Sequence, residues 1–302
     1  MNVSRFQRQK HLGVAPSPSG HKGLKKGVYV VPSLFTAMNI LAGFYSLMAT
    51  MSGFRLMGLG DAAGATVRFD YAAMAIGLAF VCDTLDGRIA RMTRSTTEIG
   101  IQLDSLADVV SFGLAPAMLV YAWGYGTALQ DWVNVRQLAW FLSFMYVICG
   151  GFRLARFNVQ ATRPRPLAEG TPKVDKKSFV GLPIPVAGCL IAAIVHFAPT
   201  PIRYAPHRFE VLAIMMMVLV GFLSLLMVST IRFTSFKSVG ARRRLSPRLV
   251  RFFIALAGLI YLYSQWVLLT LVVGYVVHGL LSRGLTPLFR RTESTSGDVH
   301  EM

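Results

Sequence analysis

Apolar runs near the length that a helix needs to cross a bilayer, about 20 residues, recur along the whole 302-residue chain. They fall at 30–52, 69–91, 99–123, 134–157, 179–198, 210–231, 249–264 and 266–282. Hydrocarbon offers no water to backbone amides, and a helix satisfies them within the segment itself. The pattern therefore predicts an all-α integral membrane protein, a polytopic bundle of about eight transmembrane helices. Only 15% of residues are charged, against about 25% in soluble domains. Residues 249–282 form one apolar stretch of 34 residues, too long for a single crossing, and a tight turn at Ser264-Gln265 is expected to divide it.

The net charge of +17 suggests a nucleic-acid binder until its distribution is mapped. With both termini and the connections after the second, fourth and sixth spans on one side, that side holds 26 of the 31 Lys and Arg. The other side keeps Arg55, Arg68, Arg136, Arg203 and Arg208. Such a bias marks the cytoplasmic face and puts both termini there, as an even number of spans requires. The run "ARRRLSPRLVR" is then a topology signal that also attracts anionic headgroups, and no nucleic-acid partner is expected. Residues 1–27, with "GVAPSPSGHKGLKKG", carry no apolar stretch of signal-peptide type and read as a flexible basic cytoplasmic tail. Residues 285–302 read as a second tail, around a membrane domain at 28–284. Cys82, Cys149 and Cys189 lie within spans at no metal-ligand spacing, which points to packing rather than disulfides. His196 and His278 stand singly near span ends, as interfacial or packing residues. The Met215–Met217 triplet is expected to face lipid or core.

Against this apolar background, "DTLDGRIARMTRSTTEIGIQLDSLAD" carries four aspartates, a glutamate and three arginines. A charge within a span costs at least about 2.5 kcal/mol near the bilayer centre, so such residues face protein or water and carry function. Asp83, Asp86, Gly87, Ala90 and Arg91 fall at helical spacing on one face. Gly100, Asp104 and Asp108 do the same on the next helix. Ser95 followed by Glu98 is a capping-box signature, which leaves about three residues, Met92 to Arg94, between two antiparallel neighbours. Asp83 and Asp86 then lie about 14 and 9 Å below Met92, and Asp104 and Asp108 about 13 and 20 Å below Ser95. The four carboxylates overlap in depth, and Gly87 and Gly100 leave room for a ligand or the facing helix.

Four carboxylates in one intramembrane pocket call for cations. Oxygen ligands without His or Cys suit Mg²⁺, Mn²⁺ or Ca²⁺ rather than zinc. A pair of ions can clamp a diphosphate through an in-line displacement, and one carboxylate can take the proton of an attacking hydroxyl. A salt-bridge network through Arg88 and Arg91 accounts for the charges but not for the glycines or the regular spacing. An ion-conducting or proton-relay pathway remains open on these residues alone.

The full pattern D-x2-D-G-x2-A-R-x8-G-x3-D-x3-D, complete here from Asp83 to Asp108, resembles the signature of the CDP-alcohol phosphotransferases. Those membrane enzymes move a substituted phosphoryl group from a CDP-linked donor to an alcohol and release CMP, with a divalent metal. The resemblance implies that Asp83, Asp86 and Asp104 are metal ligands and that Asp108 is the catalytic base and also a ligand to a second ion. It also implies that Asp86, Gly87, Ala90, Arg91 and Gly100 line the CDP site.

Three further regions are similar to the integral-membrane phosphatidylserine synthase branch: "PSLFTAMNILAGFYSL" with Asn39 and Gly43, "GGFRLARFN" from Gly150 to Asn158, and the pair "SFVGLPIP" and "MVSTIRFTSFK". The resemblance covers most of residues 28–240. It implies CDP-diacylglycerol and L-serine as substrates, a homodimer, and an active site at the cytoplasmic side of the inner membrane. Choline, inositol or glycerol phosphate are the alternative acceptors. Serine presents a carboxylate and an ammonium, so its site needs a cation and neutral acceptors. Arg153 and Arg156 can offer planar forks to a carboxylate or phosphate, or else anchor the helix at the lipid interface. Asn39 and Asn158 can orient a polar group. Arg232 and Lys237 divide between phosphate contact and anchoring. Pro183 and Pro185 are expected to shape the start of the fifth span.

Overall fold

The computed structural model describes residues 22–93, 98–129, 133–162, 178–205, 208–229, 232–234 and 264–279. Helix α1 (Lys22–Gly58) leads to α2 (Ala62–Thr93). The third span joins α3 (Glu98–Asp108), α4 (Ala115–Val120) and the single turn α5 (Gly126–Ala128) through two π-helical stretches. Helices α6 (Val133–Thr162), α7 (Ile184–Phe197) and α8 (Phe209–Val228) follow, and a shorter apolar helix, α9 (Ser264–Gly279), comes last. Among the described residues six helices are long and apolar enough to cross a membrane. The expected run 249–264 lies outside them but for Ser264. Ser264 and Gln265 are helical rather than the expected turn. Helix α1 begins at Lys22, inside the expected tail, because extending a formed helix gains a hydrogen bond per residue without a new nucleus.

Helix α8 shows how a span is packed. Met215, Val218, Phe222 and Leu225 are exposed along one face, while Ala213, Met216, Met217, Val220 and Leu223 are buried along the other. A helix apolar on both faces suits a protein core on one side and lipid on the other. The antiparallel pair α1–α2 is held through small residues such as Ala42, Ala49, Ala65, Ala72 and Ala79, which let backbones approach. The Ser46 hydroxyl donates to the Ala72 carbonyl at 2.9 Å across this pair. Asp61 caps α2, its carboxylate accepting from the Gly64 amide at 2.8 Å.

The third span departs from the single helix expected at 99–123, and Pro116 supplies the reason. Proline has no N–H to give the carbonyl four residues back, here that of Phe112. The Tyr146 hydroxyl on α6 donates to that carbonyl instead, at 3.1 Å. The preceding turn widens into a π-helix over Val109–Leu114, with Asp108 at its N-cap position and the Ala115 amide bonded to the Val110 carbonyl. Helix widening of this kind clusters at functional sites.

The fifth span also starts differently. Residues Ser178–Val180 form strand β1, paired antiparallel with β2 (Arg232–Thr234), Ser178 opposite Thr234 and Val180 opposite Arg232. Gly181 follows at φ +82°, where a side chain would also strike the Met227 carbonyl. Only glycine turns the chain there without strain. Pro183 then stands at the N-cap of α7 with Pro185 in its first turn, where a missing N–H costs nothing.

At the far end, three helices meet through His196. Its Nδ1 lies 2.5 Å from Asp70 Oδ1 and its Nε2 lies 2.9 Å from Ser264 Oγ. A carboxylate only accepts, so Nδ1 donates to Asp70, while Nε2 pairs with the Ser264 hydroxyl, which can donate or accept. Phe197 meets Trp266 edge-on beside it, ring centroids 4.7 Å apart. His196 is therefore a buried junction residue of α2, α7 and α9, while His278 is exposed. Cys82 and Cys149 are buried free thiols, and Cys189 is partly buried.

Candidate active site

The C-terminal end of α2 and the start of the third span come together at one end of the bundle. Asp83, Asp104 and Asp108 each offer a carboxylate oxygen there, and these oxygens lie within 4.8 Å of one another. Helical spacing put Asp104 and Asp108 on one face, and the antiparallel turn set them beside Asp83. Asp108 is buried, and Asp83 and Asp104 are partly so.

Asp86, expected as a fourth member, is not among the carboxylates that all lie within 4.8 Å of one another. It is buried, and the Thr36 hydroxyl on α1 donates a hydrogen bond to its Oδ2. It still lies close enough to Asp104 for their charges to repel. Gly87, one position on, is exposed, and a Cβ added there would meet nothing within 4 Å. That space suits a ligand rather than a facing helix. Gly100 is partly buried at the start of α3. Ala90 and Arg91 lie on α2, their side chains outside the described set, as are Ser95 and Lys237. Arg88 is exposed.

Two further helices close the site. From α1 come Thr36 and Asn39, three residues apart and so on one face. The Asn39 carbonyl accepts from the Ser111 hydroxyl at 2.9 Å. Gly43 permits that approach, since a Cβ there would overlap Ser111. From α6 comes Arg153, buried, its charge offsetting that of Asp108. Arg156 lies one turn on, partly exposed, and Tyr275 of α9 also lies within electrostatic reach of Arg153. Asn158 Nδ2 donates to Ser105 Oγ at 2.8 Å, fastening α6 to α3. Sequence reasoning missed Thr36, Ser105 and Ser111, single hydroxyl residues in apolar runs. For Thr36 the available signal was its three-residue spacing from Asn39.

The donor set fits a hard divalent cation. It consists of carboxylate oxygens alone, gathered at a spacing that one ion can span. Asp108 Oδ1 is buried with no hydrogen-bond partner among the described residues, an arrangement that like-charged groups do not hold without compensation.

Comparisons with known proteins agree with this geometry. The family model described as CDP-alcohol phosphatidyltransferase matches residues 29–219. A Helicobacter pylori protein named CDP-diacylglycerol–serine O-phosphatidyltransferase is 34% identical over 213 residues, covering 70% of this chain and 75% of its own. A protein of the same name from Saccharomyces cerevisiae is 36% identical over 162 residues, covering 53% of this chain and 51% of its own. A third, from Methanocaldococcus jannaschii, is 35% identical over 116 residues, covering 38% and 46%. The matched region contains the acidic trio, Thr36, Asn39 and Arg153, and ends before α9. With its signature residues gathered into one oxygen-rich pocket between membrane helices, the chain belongs to the CDP-alcohol phosphatidyltransferase family.

Proposed function

We propose that this protein transfers a phosphatidyl group from CDP-diacylglycerol to the hydroxyl of L-serine, forming phosphatidylserine and releasing CMP. The observation that carries the reading is the trio Asp83, Asp104 and Asp108 within 4.8 Å, in a chain 34% identical over most of its length to a relative named for that reaction. Family membership also weighs against the ion-pathway alternative.

In this reading Asp108 takes the proton of the serine hydroxyl, and the freed oxygen attacks the phosphorus nearer the diacylglycerol. The bond from that phosphorus to the bridging oxygen breaks, and CMP departs with the oxygen and its electron pair. Asp108 then passes its proton to solvent. Asp83, Asp86, Asp104 and Asp108 supply the oxygen ligands for Mg²⁺ or Mn²⁺, with two ions in the full site. When bound, the cation supplies positive charge against the diphosphate and the leaving oxygen. Asp86, held by Thr36, orients the donor beside Asp104. Gly87, Ala90, Arg91 and Gly100 line the nucleotide, and Arg91 meets phosphate. The acyl tails stay in lipid, as the exposed apolar faces of the helices allow. With no Ser–His or Cys–His pair at the trio among the described residues, direct displacement is the simpler route.

The positive bias of one face supports a cytoplasmic active site in the inner membrane, both termini on that side, and eight spans at 28–284 between two tails. A homodimer completes the reading, on the resemblance alone. The deciding experiment incubates purified protein with CDP-diacylglycerol, Mg²⁺ or Mn²⁺ and, separately, serine, choline, inositol and glycerol phosphate, and measures CMP. Release with serine, lost in Asp108→Asn while donor binding persists, is expected. Release with another acceptor alone, or full activity in Asp108→Asn, overturns the acceptor or the base respectively.

A further inference from the structure

A second group of reactive side chains lies far from the acidic trio. Asp70 and Asp83 share α2, and their thirteen-residue separation is about 20 Å along the axis. At Asp70 three helices bring together a carboxylate, an imidazole and a hydroxyl. Asp70 Oδ1 lies 2.5 Å from His196 Nδ1, and His196 Nε2 lies 2.9 Å from Ser264 Oγ. Ionisable side chains are costly within a span and mark functional positions there.

A single hydrogen bond would tie α7 to either neighbour, but this arrangement is more specific. The carboxylate engages one ring nitrogen and the hydroxyl meets the other. In the neutral ring the proton sits on Nδ1, where Asp70 accepts it, and Nε2 has only a lone pair to offer. Ser264 then donates to that lone pair, so the base is already aimed at the proton it would take. A nucleophile within hydrogen-bond reach of a base that a third group orients is the geometry of an activated serine, recognised by atoms and roles rather than by order in the chain. The ring is shielded, its side chain 9% exposed, while that of Asp70 is 25% exposed and Ser264 is partly exposed.

The surroundings suggest the substrate. His196 is the last residue but one of α7, where that helix ends. Phe197 and Trp266 meet edge-on beside it, and Trp266 is 63% exposed. Tryptophan is enriched where a bilayer meets water. A glycerolipid holds its ester carbonyls at that level, with the chains on one side and the headgroup on the other.

We propose that Ser264, His196 and Asp70 form a second active site, which cleaves carboxylic esters of membrane lipids at the end of the bundle away from the acidic trio. Ser264 Oγ bonds to the ester carbonyl carbon as its proton passes to His196 Nε2. The tetrahedral adduct then breaks its bond to the alcohol oxygen, which leaves with the electron pair and takes that proton. Water repeats the two steps on the acyl-serine and releases the carboxylic acid. Asp70 is a positioning residue, holding the ring in the tautomer whose Nε2 can accept. No part of this site relies on the transferase reading.

The test treats the full-length protein in detergent with an alkyl fluorophosphonate, from which an activated serine displaces fluoride, and locates the adduct by mass spectrometry. Wild-type protein should carry it on Ser264. His196→Gln should slow labelling by about a hundredfold to ten-thousandfold, as for a lost general base. Asp70→Asn can still hydrogen-bond the ring, but its amide favours the opposite tautomer. Labelling should therefore fall while the junction holds, which a merely structural role would not produce. The wild type reconstituted in phosphatidylcholine vesicles should release fatty acid, and Ser264→Ala should not. No adduct on Ser264 in the wild type, equal labelling in Asp70→Asn, or no fatty-acid release by the wild type overturns the proposal.

Discussion

Asp104→Asn should abolish activity and yet make the metal-free protein harder to unfold. The ligand oxygens of Asp83, Asp104 and Asp108 lie within 4.8 Å of one another. At an effective dielectric constant of about 20, two unit charges that far apart repel by about 3.5 kcal/mol. Replacing Asp104 removes two of the three pairs, about 7 kcal/mol before screening. Partial solvation of Asp83 and Asp104, proton uptake by the cluster and the nearby Arg153 reduce that several-fold, leaving about 2 kcal/mol. For a domain of this size such a gain raises the melting temperature by about 4–8 °C. Thermal unfolding of detergent-solubilised protein, with EDTA or with Mg²⁺, reads both states. In the wild type Mg²⁺ should raise the transition by binding the native state, and in the variant that gap should narrow or vanish. If the variant in EDTA melts no higher than wild type, the carboxylates do not press on one another, and the electrostatic case for a cation loses its footing.

Gly87→Ala should add up to about 1 kcal/mol of helix stability, because its Cβ meets no neighbour, while raising the donor KM; an unchanged donor KM removes the nucleotide from that face. Tyr146→Phe strips the Phe112 carbonyl of its donor below the π-helical turn, and should cost about 1–3 kcal/mol in thermal unfolding; wild-type melting would mean that the carbonyl finds another partner. His196→Ala breaks the junction of α2, α7 and α9, each interhelical bond being worth about 0.6 kcal/mol in a membrane. It should lower the melting temperature and leave both substrate KM values unchanged, and a changed serine KM would tie α9 to the site.

Much of this protein was legible in the order of its residues. Span length and hydropathy depend only on local composition, so six of the expected spans appear close to where they were placed. Helical spacing alone put Asp104 and Asp108 on one face, because three or four residues make one turn whatever surrounds the helix. Pro116 could have announced a break in the third span. Its consequence, a widened turn capped by Asp108 with Tyr146 serving the orphaned carbonyl, needed a neighbouring helix.

The sequence by itself determined the membrane class, the antiparallel acidic pair and the carboxylate make-up of the candidate metal group, all of which follow from composition and from spacing along one or two adjacent helices. Only the tertiary structure paired Asp86 with Thr36, fifty residues away, and brought Asn39 beside Ser111 across seventy-two. It alone buried Arg153 within electrostatic range of Asp108 and made a β-ribbon of segments that read as helix ends. Those outcomes depend on which faces of distant helices meet, and packing decides that by filling space between whole elements rather than by any rule a short stretch of chain carries.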